Sequence, residues 1–246
     1  MSTEALAAPS AEPRTVDAGR GVSWWTEAWA MFMKNPGMWV VFALISLVIF
    51  IVLSVIPILG SIAASLLTPV FLAGWMLAAR KADTGGTLEL GDLFAGFQED
   101  KLTPLLVLGA LLLAASLVIF FSVGALGFGA VMGMVVGGSQ HSAGGMMAAL
   151  GAGLVAIGAG LVLGALMAMA FWFAPALVMF RNVAPVDAIK ASFTANLKNL
   201  LAFLVYGVVY LVAAIVASIP FGLGWIVLVP LGLLTVYVSY KDVFGA

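Results

Sequence analysis

Residues able to do chemistry are few in this chain, and they match no common catalytic centre. His141 is the only histidine, and cysteine is absent. A Ser–His triad needs a histidine base, and zinc sites need several His or Cys ligands. His141 lies in a polar turn between serines, so we interpret it as a solvated loop residue; a pH-sensing role is the alternative, because histidine titrates near neutral pH. The sequence therefore predicts no catalytic residue, no metal site and no cofactor.

Long uncharged tracts dominate the chain, at residues 38–79, 102–180 and 199–240. Charged residues make up 9% of the sequence and hydrophobic residues 64%, whereas a soluble domain has about 25% charged residues. So few charges cannot cover this much apolar surface, which excludes a water-soluble fold. A helix needs about 20 apolar residues to cross a bilayer. Each outer tract therefore holds two crossings, and a glycine-rich turn at 137–145 divides the middle tract into one crossing per side.

These tracts predict an all-α integral membrane protein with six transmembrane helices. The helices form three hairpins, each preceded by a short amphipathic helix at the cytoplasmic membrane surface. Residues 1–20 are predicted to be a disordered cytoplasmic tail, residues 21–246 a single transmembrane domain, and residues 127–153 a glycine- and methionine-rich cap. The predicted spans are 38–58, 61–79, 104–126, 154–180, 200–219 and 222–240.

The distribution of charge predicts the orientation. With six crossings, all ten lysines and arginines and all eleven acidic residues fall on the side of the termini, and the opposite turns carry no charge. Basic residues close to helix ends stay in the cytoplasm. Both termini are therefore predicted to be cytoplasmic, in a bacterial inner membrane. The net charge of −1 offers no electrostatic surface to a nucleic acid.

The amphipathic stretches suggest a tandem repeat. The clearest is 185–200, where apolar residues recur every fourth position opposite lysines and a threonine. Three junctions share a spacing of seven residues, from Trp29 to Pro36, from Phe97 to Pro104 and from Phe193 to Leu200. We interpret the chain as three copies of one unit. The alternative is that any six-helix protein repeats its interface chemistry this often.

Prolines and small residues supply the candidate sites. A proline within a helix removes a hydrogen bond, and kinks at matching places in repeats are typical of transporter binding sites. Pro57 and Pro220 are interpreted as helix terminators, whereas the deeper prolines are candidate kink or solute-site positions: Pro69, Pro175 and Pro230.

Small-residue ridges let helices approach closely, and the candidate packing glycines are Gly129, Gly133, Gly137, Gly160 and Gly164. Hydroxyls in the tracts could contact a neutral solute, but more often bond their own helix: Ser46, Ser54, Ser65, Thr68, Ser116, Ser122 and Thr235. Five tryptophans fit interfacial belts: Trp24, Trp25, Trp29, Trp39 and Trp225.

Three sequence segments resemble an uncharacterised family of proteobacterial integral inner-membrane proteins. The resemblance spans the chain and implies six helices in a bacterial inner membrane. It assigns no reaction and therefore no functional residue. The segments are Val16-Asp17-Ala18-Gly19-Arg20-Gly21 followed by Trp24-Trp25, Trp29, Phe32, Asn35-Pro36 and Trp39; Lys198-Asn199-Leu200-Leu201; and Ser239-Tyr240-Lys241-Asp242-Val243-Phe244.

Two functional hypotheses follow. The first is a non-enzymatic membrane protein that acts through packing with membrane lipids, a membrane-protein partner or further copies of itself. The alternative is a passive channel or carrier for small neutral solutes, which the deep prolines and the repeat favour. Charged residues at membrane depth usually mark ion and proton pathways, and their absence argues against a proton-coupled pump or a carrier of charged substrates. An intramembrane enzyme is disfavoured, since the tracts contain no acid–base pair; loss of activity on substituting Asp92 or Asp187 would revive it.

Overall fold

The computed structural model describes residues 12–139 and 143–245, and both ranges are helical without any strand. His141 lies outside the described residues. In chain order the elements are α1 (Arg20–Lys34), α2 (Pro36–Ser54), α3 (Leu59–Asp83), a 3₁₀ helix (Leu90–Phe97), α4 (Glu99–Ser139), α5 (Ala143–Phe171), α6 (Ala174–Arg181), α7 (Pro185–Lys198), α8 (Leu200–Ser218) and α9 (Trp225–Phe244).

Six segments are long and apolar enough to cross a membrane, which confirms the predicted all-α fold with six transmembrane helices. Pro57 lies in the turn between α2 and α3, and Pro220 lies in the turn between α8 and α9. Both prolines therefore end helices, as expected. The hairpin arrangement, the surface position of the amphipathic helices and the repeat remain predictions. The six segments are Pro36–Ser54, Leu59–Asp83, Glu99–Val136, Ala143–Arg181, Leu200–Ser218 and Trp225–Phe244.

The middle helices are longer than predicted. α4 has 41 residues, which corresponds to about 60 Å at 1.5 Å per residue, against about 30 Å of hydrocarbon core. Pro104 lies inside α4, five residues after its start at Glu99, where a proline removes one helical hydrogen bond. The segment predicted to be a cap is helical wherever the structure describes it. α4 therefore extends beyond both ends of the span predicted at 104–126, and α5 begins before the span predicted at 154–180.

The chain divides into two compact units, and the single transmembrane domain remains a prediction. One comprises residues 1–110 and 170–246 and the other residues 111–169, each over its described part. In the smaller unit, a Cβ added to Gly133 would lie 3.2 Å from the Cβ of Ala149, and one added to Gly160 would lie 3.5 Å from Val123. These two glycines therefore pack α4 against α5.

The larger unit has an aromatic core. The rings of Trp39 and Trp75 stack at 5.8 Å, and Phe42 packs edge-on against both. Trp24 and Trp39 are fully buried and Trp25 is 9% exposed, whereas Trp29 is 49% exposed. The interfacial-belt interpretation is therefore wrong for the three buried tryptophans. Their indoles fill the protein interior, where neighbouring helices supply the apolar surface.

The segment before α1 is ordered by one buried side chain. Asn199 is 2% exposed; its Oδ1 accepts a hydrogen bond from the Val16 N–H at 2.7 Å, and its Nδ2 donates to the Arg14 carbonyl at 2.9 Å. The Arg14 N–H donates to the Val243 carbonyl at 2.8 Å. Residues 14–20 are thus held by α8 and α9 and are not part of a disordered tail as predicted. Residues 1–11 lie outside the described ranges.

The 3₁₀ helix packs against α3 through glycines on both elements. A Cβ added to Gly74 would lie 2.0 Å from the Leu93 carbonyl oxygen, and one added to Gly96 would lie 2.1 Å from the Val70 carbonyl oxygen. Only hydrogen fits at either position. These contacts bring the two backbones together and bury the Leu93 side chain completely.

We expect Gly96→Ala to lower the free energy of unfolding by about 1–3 kcal/mol, because the methyl group must displace the α3 backbone. Gly91→Ala is the matched control: Gly91 lies in the same 3₁₀ helix, and a Cβ there would meet no atom within 4 Å. Thermal unfolding in detergent micelles measures both. Equal unfolding midpoints for the two variants would show that Gly96 is not a close-packing position.

Candidate functional site

An apolar cavity of about 470 Å³ lies between α2, α3 and α9, within the larger unit. Its volume is in the range of small-molecule binding pockets. The wall is built from helical faces whose residues recur every three or four positions, such as Thr68, Phe71 and Leu72 on α3. The lining residues are Ala43, Leu44, Ser46, Leu47, Phe50, Thr68, Phe71, Leu72, Trp75, Gly222, Trp225, Ile226, Val229 and Leu233.

The two hydroxyls in this lining already have partners. Ser46 Oγ accepts a hydrogen bond from the Trp75 indole N–H at 3.3 Å. Thr68 Oγ1 donates to the Ala64 carbonyl at 2.7 Å. The lining contains no ionisable side chain, so it offers neither an acid–base pair nor an anionic ligand set. Such a surface binds hydrocarbon and gives little support to charged or strongly polar ligands.

Two of the three candidate prolines flank this cavity. Pro69 is buried in α3 directly after Thr68, and Pro230 is buried in α9 directly after Val229. A helical proline cannot donate to the carbonyl four residues earlier. Pro69 therefore leaves the Ser65 carbonyl without that hydrogen bond, and Pro230 does the same for Ile226, which lines the cavity. Neither proline side chain is itself part of the lining.

Pro175 occupies a different place. It lies in the first turn of α6, directly after the break that ends α5. Proline is well suited to a first helical turn, so Pro175 starts a helix rather than kinking one. At the break, the Phe173 N–H donates to Ser192 Oγ at 3.0 Å. Pro175 is absent from the lining of the apolar cavity, and the structure gives no support to a solute site there.

The remaining candidate positions are hydroxyl-bearing residues and glycines in the membrane helices. Ser54, Ser65 and Ser116 donate to carbonyls of their own helices, which is the common behaviour of serine hydroxyls within helices. A Cβ added to Gly129 or Gly164 would meet no atom within 4 Å, so their role in packing remains a prediction. The surroundings of Gly137 lie outside what the structure describes.

A cluster of charged residues connects α1 to the end of α9. The Asp242 carboxylate accepts hydrogen bonds from Arg20 Nε at 2.6 Å and from the buried Trp24 indole N–H at 2.9 Å. Arg20 also pairs with Glu27 at 2.9 Å. The hydrogen bond to Asp242 raises the pKa of Arg20 above its ordinary value. This cluster therefore fixes α1 against the end of α9.

Other carboxylates also have structural partners. Asp92 pairs with Lys81 at 3.0 Å and accepts the Glu89 N–H at 2.7 Å, which caps the 3₁₀ helix. Asp187 forms an exposed pair with Lys190 one turn away. Over residues 12–139 and 143–245, no group of three acidic or histidine side chains could hold a metal ion. These contacts give Asp92 a structural role, so substituting it alone cannot distinguish catalysis from folding.

The geometry brings together the three segments of the sequence resemblance. Val16 bonds to Asn199, and both Arg20 and Trp24 bond to Asp242. The sequence profile described as "Domain of unknown function (DUF7847)" matches residues 25–242. The chain belongs to this family. The predicted membership of an uncharacterised family of proteobacterial membrane proteins is therefore confirmed.

A curated relative agrees with this assignment. The chain is 29% identical over 212 residues, covering 85% of this chain and 77% of the relative, to a protein of Burkholderia thailandensis named as a probable inner membrane protein. No solved structure matches. Neither the family description nor the name of the relative states an activity.

Sequence reasoning missed most of the cavity wall. Trp75 and Trp225 line it, but the sequence shows only that their helices are apolar on all sides. Lipid-facing and cavity-facing residues have the same composition, so periodicity cannot separate them. The spacing of Trp225, Val229 and Leu233 indicates one shared face of α9, although not which helices oppose it.

Proposed function

We propose that this protein is a non-enzymatic inner-membrane protein, with both termini in the cytoplasm, that holds the hydrocarbon chain of a membrane lipid. The apolar cavity between α2, α3 and α9 carries the proposal. It lies among candidate membrane-spanning helices, so lipid is the solvent that surrounds it. Its two hydroxyls are already hydrogen-bonded, which leaves apolar contact as the main interaction open to an occupant.

Two further observations support this function. The cavity lining provides no acid–base pair and no charged side chain, which disfavours chemistry at this position. The name of the Burkholderia thailandensis relative supports an inner-membrane location. Membrane lipids also surround any membrane-spanning helix at high concentration, so a lipid chain is always close to the cavity.

Filling the cavity tests the proposal. Leu47→Trp places a larger side chain in the cavity wall, and we expect it to reduce lipid retained after purification in mild detergent by about tenfold, because a buried methylene contributes about 0.8 kcal/mol and several would be displaced. Native mass spectrometry with lipid extraction counts the lipids that remain bound to each protein molecule.

Leu211→Trp is the matched control. Leu47 and Leu211 are 53% and 60% exposed and occupy the same position in two helices of equal length, but Leu211 is not in the cavity wall. Lipid retention should be unchanged in this variant. Equal retention in all three proteins, or a wild-type protein that purifies without lipid, would contradict the proposal.

The alternative function is a passive carrier for small neutral solutes, favoured by the prolines beside the cavity. The Ile226 carbonyl, which Pro230 leaves without its helical hydrogen bond, could accept a hydrogen bond from a neutral solute. Liposomes containing the protein should then release a neutral solute such as glycerol faster than empty liposomes. Pro230→Ala should restore the helical bond and slow the release. No release above that of empty liposomes would exclude this alternative.

A further inference from the structure

A second cavity, of about 430 Å³, lies on a neighbouring side of α9 within the larger unit. We call it the aromatic groove, because the wall opposite α9 consists of aromatic side chains. Trp172 contributes from the break between α5 and α6, and Tyr206 and Tyr210 contribute from α8. The proposed function does not use this groove.

Two residues of α9 line both cavities. Val229 and Leu233 belong to the wall of the apolar cavity and also to the wall of the aromatic groove. Ile226 lines only the apolar cavity, whereas Gly232 and Val236 line only the groove. With 3.6 residues per turn, these positions fall on adjoining faces of α9. The two cavities therefore lie side by side at the level of Val229 and Leu233, separated by these side chains.

The aromatic groove suits the same kind of occupant as the apolar cavity. The Tyr206 and Tyr210 rings stack at 6.4 Å, and Trp172 packs edge-on against Tyr206 at 5.4 Å. The Tyr206 and Thr235 hydroxyls form a hydrogen bond of 3.1 Å, and the Trp172 indole N–H donates to Ser239 Oγ at 3.4 Å. Packed rings with partnered polar atoms present mainly carbon surface, which favours hydrocarbon.

Gly232 leaves space in the groove. The residue is only partly exposed, yet a Cβ added to it would meet no atom within 4 Å. Gly74, in contrast, has a carbonyl oxygen only 2.0 Å from the position of an added Cβ. Gly232 is therefore not a close-packing position, and the space that its missing side chain leaves open is part of the groove.

We propose that the bound lipid has two hydrocarbon chains, one in the apolar cavity and one in the aromatic groove, with Val229 and Leu233 between them. This inference rests on the proposed function, since it requires a lipid chain in the apolar cavity. The volumes of about 470 and 430 Å³ are similar, and the two chains of a glycerolipid extend side by side from one headgroup. A lipid with one chain would leave one of the two cavities unfilled.

Two lipids that differ only in the number of chains test this inference. The purified protein is titrated in mild detergent with phosphatidylglycerol and with lysophosphatidylglycerol of the same chain length, and native mass spectrometry measures the bound fraction. Each variant is compared with the wild type for one lipid at a time, so that the different partitioning of the two lipids into micelles cancels.

Gly232→Leu places a side chain in the aromatic groove. It should weaken phosphatidylglycerol binding by about tenfold, as expected for the lost contacts of the second chain, and leave lysophosphatidylglycerol binding unchanged. Leu47→Trp, in the apolar cavity, should weaken the binding of both lipids. Gly207→Leu is the matched control, because an added Cβ there also meets no atom within 4 Å and Gly207 lines neither cavity. It should change neither affinity.

Val236→Phe fills the groove from a second position and should act as Gly232→Leu does, so the test does not depend on the folding of one variant. Unchanged phosphatidylglycerol binding in both groove variants would show that the groove holds no chain. Equal weakening of both lipids in these variants would show that a single chain occupies both cavities. Either result would overturn the two-chain lipid and leave the proposed function intact, whereas unchanged binding of both lipids in Leu47→Trp would contradict the proposed function itself.

Discussion

Replacing Asp242 with leucine should lower the free energy of unfolding by about 3 kcal/mol, because the buried Trp24 indole N–H loses its acceptor and the Arg20 guanidinium loses one of its two carboxylate partners. Both groups bond to the same carboxylate oxygen, at 2.9 and 2.6 Å. Unfolding by sodium dodecyl sulfate in mixed micelles measures the change. The loss should release α1 from the end of α9, so tryptophan fluorescence should change at a lower detergent fraction.

Two variants calibrate this result. Asp242→Asn keeps an oxygen acceptor for Trp24 and should cost less than Asp242→Leu. Asp187→Leu removes an exposed pair with Lys190 and should cost less than about 1 kcal/mol. If Asp242→Leu proves no more costly than Asp187→Leu, the contact between the two ends of the chain is not a stabilising one.

Asn199→Leu should lower the free energy of unfolding by about 2–4 kcal/mol and expose the segment before α1. The variant leaves the Val16 N–H and the Arg14 carbonyl without their partner, and each unsatisfied group costs about 1–3 kcal/mol. Trypsin cleavage after Arg14 should then accelerate by at least about tenfold, because proteolysis follows the population of the open segment. Intact-protein mass spectrometry detects the shortened chain.

The neighbouring Lys198→Gln variant is the control. Lys198 donates only a long hydrogen bond of 3.5 Å to the Pro13 carbonyl and is exposed, so its loss should leave the cleavage rate almost unchanged. Equal rates of cleavage in Asn199→Leu and wild type would show that Asn199 does not hold this segment in solution.

The number of membrane helices was predictable from the sequence, whereas the length of the longest two was not. An uncharged tract must cross the bilayer in units of about 20 residues, and this minimum length correctly gives six helices. The same rule sets no upper limit on the length of a helix, and α4 continues beyond both ends of its predicted span. The glycine-rich segment 137–145 predicted a turn, but α4 continues into this segment as far as Ser139. A glycine within a helix lowers the stability of that helix by only about 1 kcal/mol, so it does not have to end the helix.

Tertiary contacts explain what the sequence patterns did not show. Very close backbone approaches occur at Gly74 and Gly96, which belong to no G-x-x-x-G pattern. The partner that forbids a side chain at those positions comes from a distant segment of the chain. Likewise Trp24 is buried by Phe203 and Tyr206, far away in sequence, and local composition cannot show this.

The prolines were the most useful sequence signal for the candidate site. Pro69 and Pro230 each directly follow a lining residue of the apolar cavity, and Ile226, whose carbonyl Pro230 leaves without a helical partner, is part of the lining. Pro175 gave the same signal from sequence and proved to start a helix. What distinguishes it is the break two residues earlier, which the structure alone reveals.

Single-cysteine labelling in intact cells tests most directly whether the chain crosses the membrane six times with its charged ends in the cytoplasm. The chain has no native cysteine, so Leu223→Cys, in the turn between α8 and α9, and Thr87→Cys, after α3, can each be labelled alone. A membrane-impermeant maleimide should label Leu223→Cys in spheroplasts and Thr87→Cys only after the membrane is opened. Labelling of both positions from the same side would contradict the six-crossing arrangement.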